Sequence, residues 1–381
     1  MRIMLGKLIF RVEHLPDWSI LVLAVLIYLP MTFLGYGSDS DVDNVVRTGQ
    51  YFARTLDYIP SRNPGFFVHE TVTFFLNSLG GSFLSNLGTL LMSLVTLASF
   101  MKILRIYEMP NVKLLAGALM IHPFYWVNST STMDYVWALG FLLLGFELLF
   151  RKRSGAAGIA LGLAIGSRFT TLIPVLGILV YGIFTSRLSR RVIVLAGSIA
   201  LVVGLICYLP AVDFTEWHPL RLFSASMGSP ELWTPILRAG RFFYKNLMFW
   251  GIPSLVWSIS IMVNAFRNPC LRHELVAWKE TWLSLGIIFS VELLFWSFPI
   301  EMDYLIVLIP FVLLLTGKAL AGRSWMLWVL FFMILVWNFV WINPARPTVP
   351  DQTTGAIYGL WLEPGYLLQD ISARLHILGI R

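Results

Sequence analysis

The sequence predicts an all-α integral membrane protein of about eleven transmembrane helices. Three observations predict it. Of 381 residues, 57% are hydrophobic and 13% charged, about half the charged share of a soluble domain. The 15 Trp, 28 Phe and 13 Tyr exceed what one core encloses, so much of the apolar surface faces lipid. The charges lie between hydrophobic runs rather than within them. A water-soluble enzyme is thereby excluded.

The elements follow in order. Charge-free runs occupy Trp18–Ser38, Thr71–Met101, Leu114–Met133, Val192–Val212, Asn246–Phe266 and Ser324–Ala345. Each reaches roughly 20 residues, enough to cross about 30 Å of hydrocarbon as a helix. Shorter or singly interrupted runs at Tyr135–Phe150, Ala156–Ser167, Phe169–Ser186, Thr281–Phe298 and Tyr304–Gly317 complete the count. Arg2, Lys7, Arg11 and Glu13 precede the first run, a flank like that of a signal peptide. The run is too long for one and no small-residue cleavage site follows, so an uncleaved first helix is expected.

With a cytoplasmic N-terminus and alternating spans, the inner connections hold Arg2, Lys7 and Arg11, then Lys102, Arg105 and Lys113, then Arg151, Lys152 and Arg153. After these come Arg187, Arg190 and Arg191, then Arg267, Arg272 and Lys279, and finally Lys318 and Arg323. That placement obeys the positive-inside rule, while the acids gather outside. The formal charge of +7 therefore follows from topology. The expected partner is the lipid bilayer of a plasma or inner membrane rather than endoplasmic reticulum, with no nucleic acid. Cys207 and Cys270 lie far apart without metal or redox spacing.

A single transmembrane domain is expected over 1–345, with outer segments at 35–82 and 211–245. An outer tail follows over 346–381, in which Leu367, Leu368, Ile371, Leu375 and Leu378 have the spacing of a second interfacial helix. Inverted halves, the mark of many transporters, are not visible.

The first outer loop carries the strongest signal. Asp39, Asp41 and Asp43 alternate directly after a span, and from Val42 the apolar residues Val45, Val46, Gly49, Phe52 and Leu56 form a helical stripe. This amphipathic helix is expected to lie flat in the interface. Ser40 or Asp41 can cap it, and its dipole favours acids at its start. A calcium loop of the EF-hand type fails at Asn44, where glycine is needed, and at Gln50, where glutamate is needed. What remains is a carboxylate cluster sharing its loop with Tyr51, Arg54, Arg62, His69 and Glu70. A carboxylate there can take a proton from a hydroxyl or amine, while basic residues bind an anionic leaving group such as the phosphate of a lipid-linked sugar.

An acidic outer loop after the first span, an Asp41-x-Asp43 helix carrying Tyr51-x-Ala53 and the turn Pro60-Ser-Arg-x-Pro-Gly65 together resemble the GT-C superfamily of polytopic membrane glycosyltransferases. Protein O-mannosyltransferases and aminoarabinose transferases are members. Further echoes are Thr132-Met-Asp134, Gly162-Leu-Ala-Ile-Gly-Ser-Arg168 and Glu301-Met-Asp-Tyr304 leading to Pro310, where Asp303 stands in place of the usual Arg. The resemblance implies a polyprenyl- or dolichyl-phosphate sugar donor and a glycan, lipid or protein acceptor on the outer face. It also implies a loop aspartate as general base. Asp41 matches best, with Asp39 and Asp43 as competitors. Some members hold a divalent metal, Mg or Mn, with such a carboxylate pair, so Asp39, Asp41 and Asp43 are the metal candidates; no other cofactor is implied.

Other polar residues complete the candidate set. Asp134 is a second carboxylate or part of a helix cap. Arg168 splits two runs and either binds phosphate or snorkels to headgroups. Arg221, Arg238, Arg241 and Lys245, interleaved with aromatics, are a second phosphate group or an interfacial anchor. Glu301 and Tyr304 stand at the mouth of the tenth span. Glu292 lies inside the ninth, which keeps a transporter of a polar or lipid-linked substrate as the rival class. Glu147 is placed to pair with Arg151, His122 reads as packing, and Asn128-Ser-Thr130 is a glycosylation sequence too close to the membrane to be reached. Trp126, Trp250, Trp296, Trp341 and Trp361 fall near span ends, as interfacial anchors do.

Overall fold

A computed structural model describes residues 15–37, 39, 41–185, 187–216, 218, 234–321, 323–338, 340–343 and 357–360. The tail stretch carrying Leu367 to Leu378, together with Arg221 and Trp361, lies outside the described residues. Helix α1 (Trp18–Tyr28) tightens into a 3-10 turn over Leu29–Phe33. Then come α2 (Asp41–Thr55), α3 (Phe67–Ile106), α4 (Val112–Ile121), α5 (Pro123–Asn128), α6 (Tyr135–Phe150), α7 (Ser154–Ser167), α8 (Leu172–Phe184) and α9 (Arg190–Phe214). The second part holds α10 (Pro235–Trp250), α11 (Ile252–Arg267), α12 (Pro269–Ala277), α13 (Lys279–Ser297), α14 (Ile309–Ala319) and α15 (Ser324–Val336). A 3-10 stretch over Met302–Leu308 leads into α14. The one departure from helix among the described residues is an antiparallel pair of four-residue strands, Val340–Asn343 with Ile357–Leu360.

This is a multi-pass membrane protein, but fewer helices cross unaided than eleven. Phe67–Ile106, Arg190–Phe214, Lys279–Ser297 and Met302–Ala319 are long and apolar enough, and α10 with α11, bent by 91°, would make a fifth span. Six further apolar helices of 10–17 residues are shorter than the hydrocarbon requires. The reason lies in breaks inside the hydrophobic runs. Gly80 and Gly81 leave helical geometry within α3, Gly81 at φ +60°, a conformation cheap only for glycine. Pro123 parts α4 from α5, and Gly251 at φ +74° parts α10 from α11.

The amphipathic helix is present as α2, but most of its stripe is covered by protein. Val42, Val45, Val46 and Gly49 are buried, and Phe52 packs its ring 5.7 Å from that of Phe74 on the outer part of α3. Periodicity announced a buried face; the neighbouring helix supplies the cover. Leu56 and Tyr51 stay exposed.

Beneath this outer layer, α7 lies against α9 through Gly158, Gly162 and Gly166, one glycine every fourth residue. That spacing puts a groove along one helix face, the usual way for membrane helices to approach closely. A Cβ at Gly158 would stand 2.6 Å from the carbonyl oxygen of Ala196, at Gly162 2.5 Å from Val203 Cβ and at Gly166 2.6 Å from Cys207 Cβ. At the other end of α6, Glu147 is held by Arg151 at 3.1 Å and Lys102 at 3.3 Å, the Arg151 contact being the i,i+4 pairing expected from sequence.

Gly162→Leu should force α7 from α9 and cost about 1–3 kcal/mol, as overpacking does. A fall in the detergent-solubilised unfolding midpoint, absent in Gly155→Leu where nothing lies within 4 Å, checks it.

Candidate active site

Two loops are stitched together before any charge is placed. The Asn86 side chain donates to the carbonyls of Thr32 at 3.1 Å and Gly35 at 2.5 Å, and accepts from Thr132 Oγ1 at 2.8 Å. Thr132 N–H donates to Tyr36 O at 2.8 Å. Gly37, at φ +122°, passes so close that a Cβ would stand 2.6 Å from Ser131 Cβ. This anchoring brings the segment before α2 beside the segment before α6.

A third segment enters from the turn after α2. Glu70, buried at the start of α3, accepts from Ser61 N–H at 3.0 Å and also from the hydroxyls of Ser61 and Tyr58. The clamp holds a tight turn containing a cis Asn63–Pro64 bond, closed by Gly65 N–H on Arg62 O at 2.7 Å. Arg62 therefore points inward.

The charges then form one chain. Arg62 donates to Asp41 Oδ2 at 2.7 Å and to Asp134 Oδ1 at 2.6 Å. The other oxygen of Asp134 takes Arg168. Asp134 is fully buried. Burial alone would raise its carboxyl, but the guanidiniums of Arg168 and Arg62 hold it down at about 2. The Arg168 guanidinium lies 3.8 Å from the Tyr135 ring centroid, 4.6 Å from Tyr304 and 5.4 Å from Phe66. The Nε groups of both arginines have no hydrogen-bond partner. Arg168, Tyr135, Tyr304 and Asp303 cap a slot whose lower walls include Leu139 and Phe295.

Beyond Arg62 the site turns acidic. Asp39, Asp41 and Glu301 bring one carboxylate oxygen each to within 4.8 Å of one another. Asp39 accepts the first helical N–H, that of Asp41, at 2.9 Å, and so contributes to capping α2; the capping expected of Ser40 lies outside the described residues. Burial, then repulsion from Glu301 and Asp41, raises its carboxyl to about 6 against the lowering effect of that N–H and of Arg62. Three hard oxygen donors suit Mg or Mn. Glu301 also accepts from the Tyr135 hydroxyl.

Thus Asp39, Asp41, Arg62, Asp134, Arg168, Glu301 and Tyr304 converge. Several expected residues take other places. Two residues on from Asp41 along α2, Asp43 is rotated by about 200° and is not in the carboxylate trio; Glu301 takes the third position. Tyr51 is exposed. His69 is buried edge-on to Trp137, its Nε2 3.2 Å from Thr73 Oγ1. Arg241 is exposed, while Lys245 donates to the carbonyl of Ile300, one residue before Glu301. Arg168 is buried and paired rather than snorkelling. Asn128 is buried and donates to Asp303 at 2.6 Å, which removes it as a glycosylation acceptor. Sequence reasoning missed Tyr135 and the Tyr58–Ser61 clamp; the adjacency of Tyr135 to Asp134 was the available signal.

Two solved structures share this architecture. ArnT from Cupriavidus metallidurans bound to undecaprenyl phosphate matches over 81% of this chain at TM-score 0.57 and 17% identity. The same protein in the apo state matches over 81% at TM-score 0.59 and 19% identity. This chain spans 61% and 60% of those chains. The fold is therefore that of ArnT, in line with the fold that the motifs led us to expect. No protein-family model matches the sequence, and neither does the sequence of any curated protein.

Two stability outcomes follow. Asp134→Asn leaves the buried Arg168 without its carboxylate partner and Arg62 with Asp41 alone, and should cost about 3–5 kcal/mol, read as a lowered unfolding midpoint. Asp39 acts in the opposite sense. Its folded-state value lies above the ordinary 3.8, so the stability it contributes is full below about 4 and is lost as pH rises through about 6. Asp39→Asn should remove that part of the pH dependence, so that the variant gains on the wild type between pH 4 and pH 7.

Proposed function

We propose that this chain is a membrane glycosyltransferase that moves a sugar from a polyprenyl-phosphate donor to an acceptor on the outer face. One observation carries the reading: the buried Arg168, with a free Nε, roofs an apolar slot between Tyr135 and Tyr304. That combination matches the chemistry of a phosphate with a hydrocarbon tail, charge against guanidinium and chain against Leu139 and Phe295; the enclosed space is about 30 Å³, so the slot must widen as the donor enters. Arg62, also with a free Nε, would share the anion. That ArnT is described with undecaprenyl phosphate bound supports the same donor class here.

On this reading the acceptor hydroxyl or amine comes from the acidic side and loses its proton to an aspartate as the sugar carbon is attacked and the lipid phosphate departs. The family resemblance favours Asp41, but its Oδ2 is engaged by Arg62. Asp39 is better suited, because a base raised to about 6 is ionised at neutral pH yet basic enough to take a proton. Asp134 works at one remove, holding both arginines toward the phosphate.

The trio also fits a divalent cation, which Asp39, Asp41 and Glu301 would hold and which would neutralise charge on the phosphate. Held there, it would occupy Asp39 and lower its basicity.

The experiment supplies radiolabelled polyprenyl-phosphate sugars and a membrane extract of acceptors to the purified protein in lipid. Release of lipid phosphate with the label passing to an acceptor is expected; movement of the donor or solute without release would favour a transporter. Asp39→Asn should lower transfer about 10²–10⁴-fold, the usual share of a general base. Wild-type transfer should rise with pH to a plateau above about 6. Chelation separates the two roles: loss of transfer restored by Mg or Mn assigns the trio to a metal, and full activity in chelator assigns Asp39 to proton transfer. Full transfer by Asp39→Asn and by Asp41→Asn alike would sink both.

A further inference from the structure

A separate cavity of about 640 Å³ opens among α10, α11, α13, α14 and α15, within the roughly 300–1,000 Å³ of ligand pockets. Its walls are mostly apolar, and its polar groups are unevenly placed. His122, between α4 and α5, has its ring 4.9 Å from that of Phe249 and 5.9 Å from that of Trp250, so it stands at the α10–α11 bend. Asn246 lies one turn before that bend and donates to Glu292 at 3.1 Å. These three lining residues thus mark one end. Arg267 also lines the cavity, at the far end of α11 and about 20 Å away along the helix from Ser254.

His122 is the unexplained group. It is 2% exposed, and neither Nδ1 nor Nε2 has a hydrogen-bond partner. Buried polar groups are normally paired, and a neutral imidazole offers one donor and one acceptor. On the same wall the Glu292 carboxylate, bonded to Asn246, accepts, and no Lys or Arg is among the lining residues of this end. The complementary headgroup both donates and accepts hydrogen bonds and carries no negative charge. The apolar length behind it exceeds the ~15 Å depth of one leaflet, enough for an extended hydrocarbon chain.

We propose that this cavity is a lipid site for a single-chain amphiphile with a hydroxyl headgroup, held by His122 and Glu292. It differs from the slot beneath Arg168 in wall and in charge. Val291, Leu294 and Phe295 of α13 face that slot, whereas Leu285, Ile288 and Glu292 of the same helix face this cavity. The proposal stands whether or not the chain is a transferase.

The test uses the full chain in nanodiscs and a tritiated, diazirine-bearing hexadecanol, with labelled peptides mapped after irradiation. Saturable labelling of α11 and α14 is expected, competed at least tenfold better by hexadecanol than by hexadecyl phosphate. Ser258→Trp, which narrows the cavity, should lower it at least tenfold, and His122→Phe should weaken it about tenfold. Should either variant fail to fold, the wild-type competition decides alone. Equal or better competition by hexadecyl phosphate, or labelling that does not saturate and spreads equally over Arg190–Phe214, would overturn the proposal.

Discussion

The burial of Asp134 between two guanidiniums is the constraint on which the outer half of the molecule depends. A lone carboxylate that far from water would be costly, and each arginine would be so alone. Together they satisfy one another, and each comes from a different segment: Arg62 from the turn after α2, Asp134 from the start of α6, Arg168 from the junction of α7 and α8. Three stretches distant in sequence are thereby obliged to meet. Asp41 joins through Arg62, and Tyr135 and Tyr304 join through the face of Arg168.

That arrangement leaves an imbalance at its edge. Asp39, Asp41 and Glu301 crowd together, and of the three only Asp41 makes an ion pair with a basic residue among the described contacts. Such crowding raises a carboxyl and costs folding energy, which is characteristic of a place that awaits a proton, a cation or a substrate. The Glu70 clamp belongs to the opposite kind of acid. Its oxygens are occupied by Ser61 and Tyr58, and it keeps the Arg62 turn in place.

Much of this was legible in the residues, and the limits are instructive. The alternation of Asp39, Asp41 and Asp43 drew attention to the loop in which Asp39 and Asp41 meet Glu301, because three acids after a hydrophobic run need a reason. It did not show that Glu301, some 260 residues further on, would displace Asp43 from the group, since spacing fixes a helix face and not the loop that meets it. Arg168 drew attention as a charge between apolar runs, but its partner was beyond reach of sequence. The stripe of α2 was legible as an amphipathic pattern and was expected to lie in the membrane interface, whereas the Phe74 region of α3 covers much of it, a contact that spacing along α2 does not contain. Charge-free runs do not show where a helix breaks: hydropathy averages across a proline or glycine, as at Pro123 and Gly251, that the backbone does not ignore. Gly158, Gly162 and Gly166 were legible and were passed over, their period being hidden among equally apolar neighbours.

The Gly80–Gly81 break has a mechanical consequence. The outer part of α3, with α2 seated on it and Glu70 and Phe74 within it, is hinged from the inner part that runs through the bilayer. Asp39 and Asp41 are thus carried on a bracket whose internal spacing is set by protein contacts rather than by lipid depth. A thicker or thinner membrane would tilt the shaft below the hinge while Asp39 and Asp41, held with α2 on the bracket, kept their mutual distance; Glu301 enters from the start of Met302–Ala319, so its approach to the pair is the distance that bilayer thickness can alter.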